Sequence, residues 1–218
     1  MMNLTEWRTN DLTNKKYQFL SISETEPQYE PLELSLLKNY LKIDYSTDDT
    51  LLELLIHTAR KQIETECGGL AIVKRTVTQK QTGGLQYIQF MKQPVNSITS
   101  VTYYENFSST GEVISSSDYR FTDGILIHKD NWFKSGRDGD GYVIVYNAGL
   151  VNDTGQTAEN CPQALRAAMM RIIAYLYENR EQYVNSVNEG NLSISYDKKL
   201  RSEINMFLSP YFTGKAVF

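Results

Sequence analysis

Pro31-Leu32-Glu33-Leu34-Ser35-Leu36-Leu37-Lys38-Asn39-Tyr40-Leu41-Lys42-Ile43-Asp44 is followed closely by Thr47-Asp48-Asp49-Thr50-Leu51-Leu52-Glu53-Leu54-Leu55-Ile56-His57-Thr58-Ala59-Arg60-Lys61-Gln62-Ile63-Glu64. Both stretches are written in the helical period. In the first, Leu34, Leu37 and Leu41 recur at helical spacing, and Pro31 suits a first turn because its fixed φ is helical and its missing N–H is not needed there. In the second, Leu52, Leu55, Ile56, Ala59 and Ile63 share one face. Glu53, His57, Arg60, Lys61 and Glu64 read as the opposite, charged face. Ser46 or Thr47 is placed to cap the second helix, Asp48 and Asp49 suit its positive end, and Gly68-Gly69 offers a left-handed stop.

Beyond Gly69 the period changes. Val73, Arg75, Val77 and Gln79 alternate with Lys74, Thr76 and Thr78, and β-rich runs follow at Leu85–Met91, Ile98–Tyr104, Tyr119–Phe121, Ile125–His128 and Tyr142–Tyr146. Gly83-Gly84, Asp123-Gly124 and Asp138-Gly139-Asp140-Gly141 punctuate them as turns. Helical spacing returns after Pro162, where Leu165, Ala168, Met169, Ile172, Ile173 and Leu176 form a wide apolar face flanked by Arg166, Arg171 and Arg180. Asp197 is placed to cap a last helix through Leu200, Ile204, Phe207 and Leu208. The expected fold is therefore α+β: a small bundle of about four helices with a β-rich insertion between the second and third. The expected organisation is an N-terminal arm over 1–30, a helical core over 31–71 and 151–209, the insertion over 72–150, and a C-terminal tail over 210–218. The arm, polar and bounded by Pro27 and Pro31, reads as a segment that packs on a neighbour or stays mobile.

Composition narrows the function. The 22 basic and 26 acidic residues leave a formal charge of 22 − 26 = −4, the wrong balance for gripping a phosphate backbone, so free DNA is not expected as a ligand. No signal peptide is expected at the N-terminus, and no apolar run approaches the roughly 18 residues of a membrane span. Cys67 and Cys161 do not suggest a disulfide framework, and each reads as a small buried residue. His57 and His128 share no ligand spacing with them, so neither metal nor cofactor is expected. The Asp138 turn lacks the bidentate glutamate of a calcium loop, with Gly149 at that place. No phosphate-cradling glycine motif or nucleophile elbow occurs, and no active site is expected. The 15 tyrosines fit either core filling or partner surfaces; Tyr103-Tyr104, Trp132-Phe133 and Tyr211-Phe212 are the pairs placed for the latter.

The order of four segments carries a family resemblance. Lys38-Asn39-Tyr40-Leu41-Lys42-Ile43-Asp44 with the helix after it, Gln93-Pro94-Val95-Asn96-Ser97-Ile98-Thr99-Ser100-Val101-Thr102-Tyr103-Tyr104, Val143-Ile144-Val145-Tyr146-Asn147-Ala148-Gly149, and Pro162-Gln163-Ala164-Leu165-Arg166-Ala167-Ala168 through Glu181 together resemble the head–tail connector, or adaptor, proteins of long-tailed bacteriophages. The likeness spans roughly 32–181. It implies a structural adaptor made in the host cytoplasm and placed in the virion neck, twelve copies forming a ring beneath the portal. A stopper or tail-completion protein would bind below, and DNA would pass through without sequence-specific binding. It also implies that the C-terminal region reaches the portal; the apolar tail offers Tyr211, Phe212, Val217 and Phe218 for that docking. Glu53, Arg60, Lys61 and Glu64 are the expected contacts between neighbouring subunits. A rival reading is a stand-alone binding module whose β-rich insertion holds a peptide or glycan. A hydrolase using His57 or His128 is a distant third.

Overall fold

The structure is a computed structural model that describes residues 19–105, 110–130, 133–134, 141–151, 161–179 and 198–212. It is mixed α+β, with four helices and two antiparallel sheets among the described residues. The elements are β1 (Phe19–Glu24), α1 (Leu34–Leu41), α2 (Asp49–Glu66), β2 (Arg75–Gln81), β3 (Tyr87–Gln89), β4 (Val95–Tyr103), β5 (Glu112–Val113), β6 (Tyr119–Thr122), β7 (Ile125–His128), β8 (Tyr142–Ala148), α3 (Gln163–Glu178) and α4 (Lys198–Leu208). They fall into two compact units. One holds the described residues up to Pro27 and those between Lys74 and Leu150; the other holds Gln28–Val73 and the described residues from Val151 onward.

In the helical unit, apolar spacing decides what is buried. Leu52, Ile56, Ala59 and Ile63 of α2 meet Leu165, Ala168, Met169, Ile172, Ile173 and Leu176 of α3, with Leu37 of α1 and Ile204 and Leu208 of α4 closing the same core. The helix ends differ from the expected ones. Glu33, not Pro31, precedes the first helical residue of α1, and α1 stops because Lys42 takes the left-handed conformation (φ 57°), letting the Ile43 amide donate to Lys38 O at 3.0 Å. Asp48 is the residue before α2, with no side-chain cap bond, while Asp49 in its first turn pairs with Lys38 Nζ at 2.6 Å. At the far end Gly68 and Gly69 both have positive φ, and the Gly69 amide closes on Glu64 O at 3.0 Å. Asp197 and Arg180 lie outside the described residues.

The β unit has a five-stranded sheet in the order β1-β2-β8-β4-β5 and a three-stranded sheet in the order β3-β7-β6. Period-two alternation is clean in β8, where Tyr142, Ile144, Tyr146 and Ala148 are buried and the residues between them are half-exposed. Phe90 packs edge-on against Tyr146, with ring centroids 4.6 Å apart, and Phe133 against Tyr142 at 5.0 Å. Asp123-Gly124 joins β6 to β7 with positive φ at both residues, 48° and 76°, the geometry of a two-residue turn that matches strand twist. The second half of the expected N-terminal arm is not an arm: Phe19–Glu24 is the edge strand β1, paired antiparallel with β2. The alternation that would announce the strand is short, with only Leu20 and Ile22 alternating with exposed Ser21 and Ser23 before Glu24. Backbone pairing holds it, with Glu24 Oε2 taking both Arg75 Nη1 at 3.5 Å and Lys92 Nζ at 3.2 Å.

Replacing Ile56 or Ile172 with Asp places an unpaired carboxylate in the helical core and is expected to cost more than about 4 kcal/mol. Val113→Asp, on a side chain 69% exposed, is expected to leave thermal melting unchanged. Circular-dichroism melts of the three variants check the assignment.

Candidate assembly surfaces

The charged stripe expected on α2 divides in two. Glu53 and Lys61 are exposed, whereas Arg60 is 0% and Glu64 1% exposed. The correction has a tertiary cause: the segment before α1 and the segment after Gly69 close over the C-terminal half of that flank. Glu30 reaches in as a fork, with Arg60 Nε donating to Oε2 at 2.7 Å and Nη2 to Oε1 at 3.1 Å. Arg60 Nη1 lies 3.4 Å from Glu64 Oε2, one turn along. Glu64 Oε1 accepts the Ile72 amide at 3.0 Å. His57 Nδ1 is 3.0 Å from Arg60 Nη2. The same Nδ1 lies 3.2 Å from Glu30 Oε1. These four side chains knit the helical unit together rather than facing a neighbour. One sequence signal pointed here: Glu30 stands just before Pro31, and an apolar run, Leu70-Ala71-Ile72-Val73, follows the glycine stop.

What remains exposed on the helical unit is mixed. Leu54 is 60% exposed beside Glu53, and Leu36 and Tyr40 lie one turn apart on the outer side of α1. Among the tail residues, Tyr211 belongs to a 3-10 turn, Ser209–Tyr211, and packs partly against the helical core. Phe212 is 37% exposed. Val217 and Phe218 lie outside the described residues. Of the other aromatic pairs, Tyr103 and Phe133 are buried in the β unit, and Trp132 is outside the described residues, as are Asp138 and Asp140.

The remaining chemistry is that of a folded interior. Burial pushes both thiols, Cys67 and Cys161, up to about 12, although the Arg166 charge pulls the second part of the way down. Burial also raises the phenols of Tyr142 and Tyr146. His128 lies edge-on to Phe133 and accepts the Asp130 amide on Nδ1 at 3.2 Å. Among the described residues, no three His, Cys, Asp or Glu side chains converge to hold a metal, and no helix is long and apolar enough to cross a membrane.

Comparison with known proteins adds a family. Residues 31–127 match the Phage gp6-like head-tail connector protein family. No curated protein matches the chain. Among solved structures, a chain from the virion of a native gene transfer agent particle aligns with TM-score 0.64 at 15% identity, over 86% of this chain and 95% of that one. A chain from the neck of an empty gene transfer agent particle, computed with C6 symmetry, aligns with TM-score 0.63 at 13% identity over the same shares. One from the neck of a native particle, computed with C12 symmetry, gives 0.61 at 14% identity, covering 86% of this chain and 94% of that one. At these identities the likeness is one of fold.

Two outcomes follow from the geometry. Arg60→Met leaves Glu64 buried without its cation and is expected to cost about 3–5 kcal/mol, while Lys61→Glu, one residue on and in solvent, is expected to cost under about 0.5 kcal/mol; urea titrations separate them. The thiols are expected to resist a thiol-specific reagent at pH 8 until denaturant is added. Because their folded values are raised from 9.0 to about 12, their contribution to stability is whole below pH 9 and is lost as pH rises towards 12, when only the unfolded chain releases those protons. It is the family match over residues 31–127 that establishes this chain's resemblance to the phage head–tail connectors.

Proposed function

We propose that this protein is a structural adaptor of a phage-type neck, without a catalytic step, joining a DNA-filled head to its tail. The observation that carries the reading is the head–tail connector match, which covers α1, α2, β2 to β6 and most of β7 in chain order. The gene transfer agent chains support it through fold: two of them come from particle necks, solved with C6 and C12 symmetry. In this reading twelve copies form a ring below the portal, a stopper or tail-completion protein binds beneath, and DNA passes through the centre. A chain with net charge −4 suits a passage that must not trap DNA by counterion release. The helical unit serves as the adaptor core, with the β-rich segment as an insertion in it.

Two surfaces are assigned within that role. Glu53 and Lys61, both exposed, are proposed as contacts to the neighbouring subunit; Arg60 and Glu64 are excluded because they are buried inside the subunit. The C-terminal segment from Phe212 onward, including Val217 and Phe218, is proposed to dock to the portal. Tyr211 serves as its root, since part of its ring is already committed to the subunit's own core.

The test is to mix the purified protein with its cognate portal and image the product by electron microscopy. A second ring stacked on the portal is the expected result, and portal rings that stay bare would reject the role. A chain ending at Tyr211 is expected to keep its melting temperature and lose the portal. Retained binding in that variant removes the tail from the contact.

A further inference from the structure

A ring of identical subunits joined head to tail uses two different surfaces on each copy, one meeting the neighbour on the left and one the neighbour on the right. Glu53 and Lys61 mark the first, on the outer side of α2. The second has to lie elsewhere on the subunit. Among the described residues α3 packs broadly on α2 and on α4, whereas α2 and α4 do not pack broadly on each other. The two helices therefore flank α3, and each keeps an outer side of its own.

These outer sides match in three ways. Each carries one large apolar side chain in solvent: Leu54 on α2, 60% exposed, and Met206 on α4, 68% exposed, the two most exposed apolar side chains described in the helical unit. Each also has hydroxyls that are already occupied. Thr58 Oγ1 donates to Leu54 O and Thr65 Oγ1 to Lys61 O, both at 2.8 Å, and Ser209 Oγ donates to Met206 O at 3.2 Å. Their protons need no water, so covering these positions strands no hydroxyl donor. The third match is charge. Glu53 stands beside Leu54, and Arg201 lies in the opening turn of α4; both are exposed, and neither has an ion pair among the described residues. Lys61 is eight residues beyond Glu53, about 12 Å along the axis, so in solvent salt its repulsion of a cation placed against Glu53 is largely screened.

We propose that the outer side of α2 in one copy packs on the outer side of α4 in the next, with Leu54 against Met206 and Glu53 facing Arg201. The assignment rests on the ring reading given above and names the surface that completes it. One apolar contact and one exposed ion pair do not hold two free copies together, but they close a ring whose subunits a template has already brought side by side.

The test places cysteines at Leu54 and Met206, singly and together, and adds a short bismaleimide after mixing with the cognate portal. Cys67 and Cys161 are buried and do not compete. Leu54→Cys/Met206→Cys is expected to give a ladder of covalent multimers, and each single variant to stay monomeric, because a head-to-tail contact does not bring one position against itself. Dimers from a single variant indicate a two-fold contact and overturn the assignment. A double variant that forms stacked rings by electron microscopy but no ladder overturns it while leaving the ring intact. Glu53→Arg and Arg201→Glu are each expected to raise the concentration needed for ring formation at least about threefold with melting unchanged, and the combined variant to return it towards wild type. Reversals without effect, or a combined variant that does not recover, overturn the pairing of Glu53 with Arg201. Wild type that forms no ring on the portal rejects the ring reading itself, and the assignment with it.

Discussion

The helical unit depends on one buried cation. Arg60 is 0% exposed, and a guanidinium removed from water has to be neutralised where it lies. Glu64 supplies a buried countercharge from the next turn of α2, and Glu30 supplies a second, partly solvated one from the segment leading into α1. Glu64 is not spent on Arg60 alone, because its other oxygen takes the Ile72 amide. One side chain thus fixes the approach to α1, the length of α2 and the exit from it. The apolar core could tolerate some repacking, but this arrangement has a single geometry in which its polar atoms are satisfied.

A comparable constraint organises the β unit. Gln79 points inward from β2 and is 0% exposed. Its Oε1 accepts the Met91 amide at 3.0 Å and the Tyr146 hydroxyl at 3.3 Å, while Nε2 donates to Gln89 O at 2.9 Å and Gln81 Oε1 at 3.0 Å. Both donors and both lone pairs are used, which is full satisfaction for an amide. A one-residue slip of β2 would turn Gln79 outward and leave the Tyr146 hydroxyl, which also accepts the Lys92 amide, without an acceptor for its proton, so the polar residue specifies register more sharply than Val77 could.

These two networks explain what the amino-acid order disclosed and what it hid. Periodicity reported the α3 face without error, since all six residues on its apolar stripe are buried, and turn chemistry reported Asp123-Gly124 and Gly68-Gly69, whose conformations few other residues adopt. Both are local signals. The fate of Arg60 and Glu64 was not local: on α2 they are polar residues flanking an apolar stripe, and only chain from before α1 and after Gly69 closes over them. Strand β1 was hidden for the opposite reason, because its alternation of Leu20 and Ile22 with Ser21 and Ser23 is too short to stand out in a polar segment. The tail was legible as apolar, yet Tyr211 and Phe212, adjacent in sequence, have different surroundings, the first against the core and the second largely open.

The closing of the charged flank has a consequence for assembly in the proposed role. With Arg60 and Glu64 buried, Glu53 and Lys61 are the most exposed charges on the stripe of α2, and exposed ion pairs of that kind contribute about 0–1 kcal/mol each. Such contacts do not hold two free subunits together against the entropy of association. They suffice once subunits are already aligned, because a head-to-tail contact repeated around a closed ring is made at high effective concentration. The stronger, more specific interaction must then be the one that aligns them, and that places the burden on the segment around Phe212 and its partner. In the proposed role, such a subunit is expected to stay apart in solution and to form its ring where a symmetric template presents the docking sites in a circle.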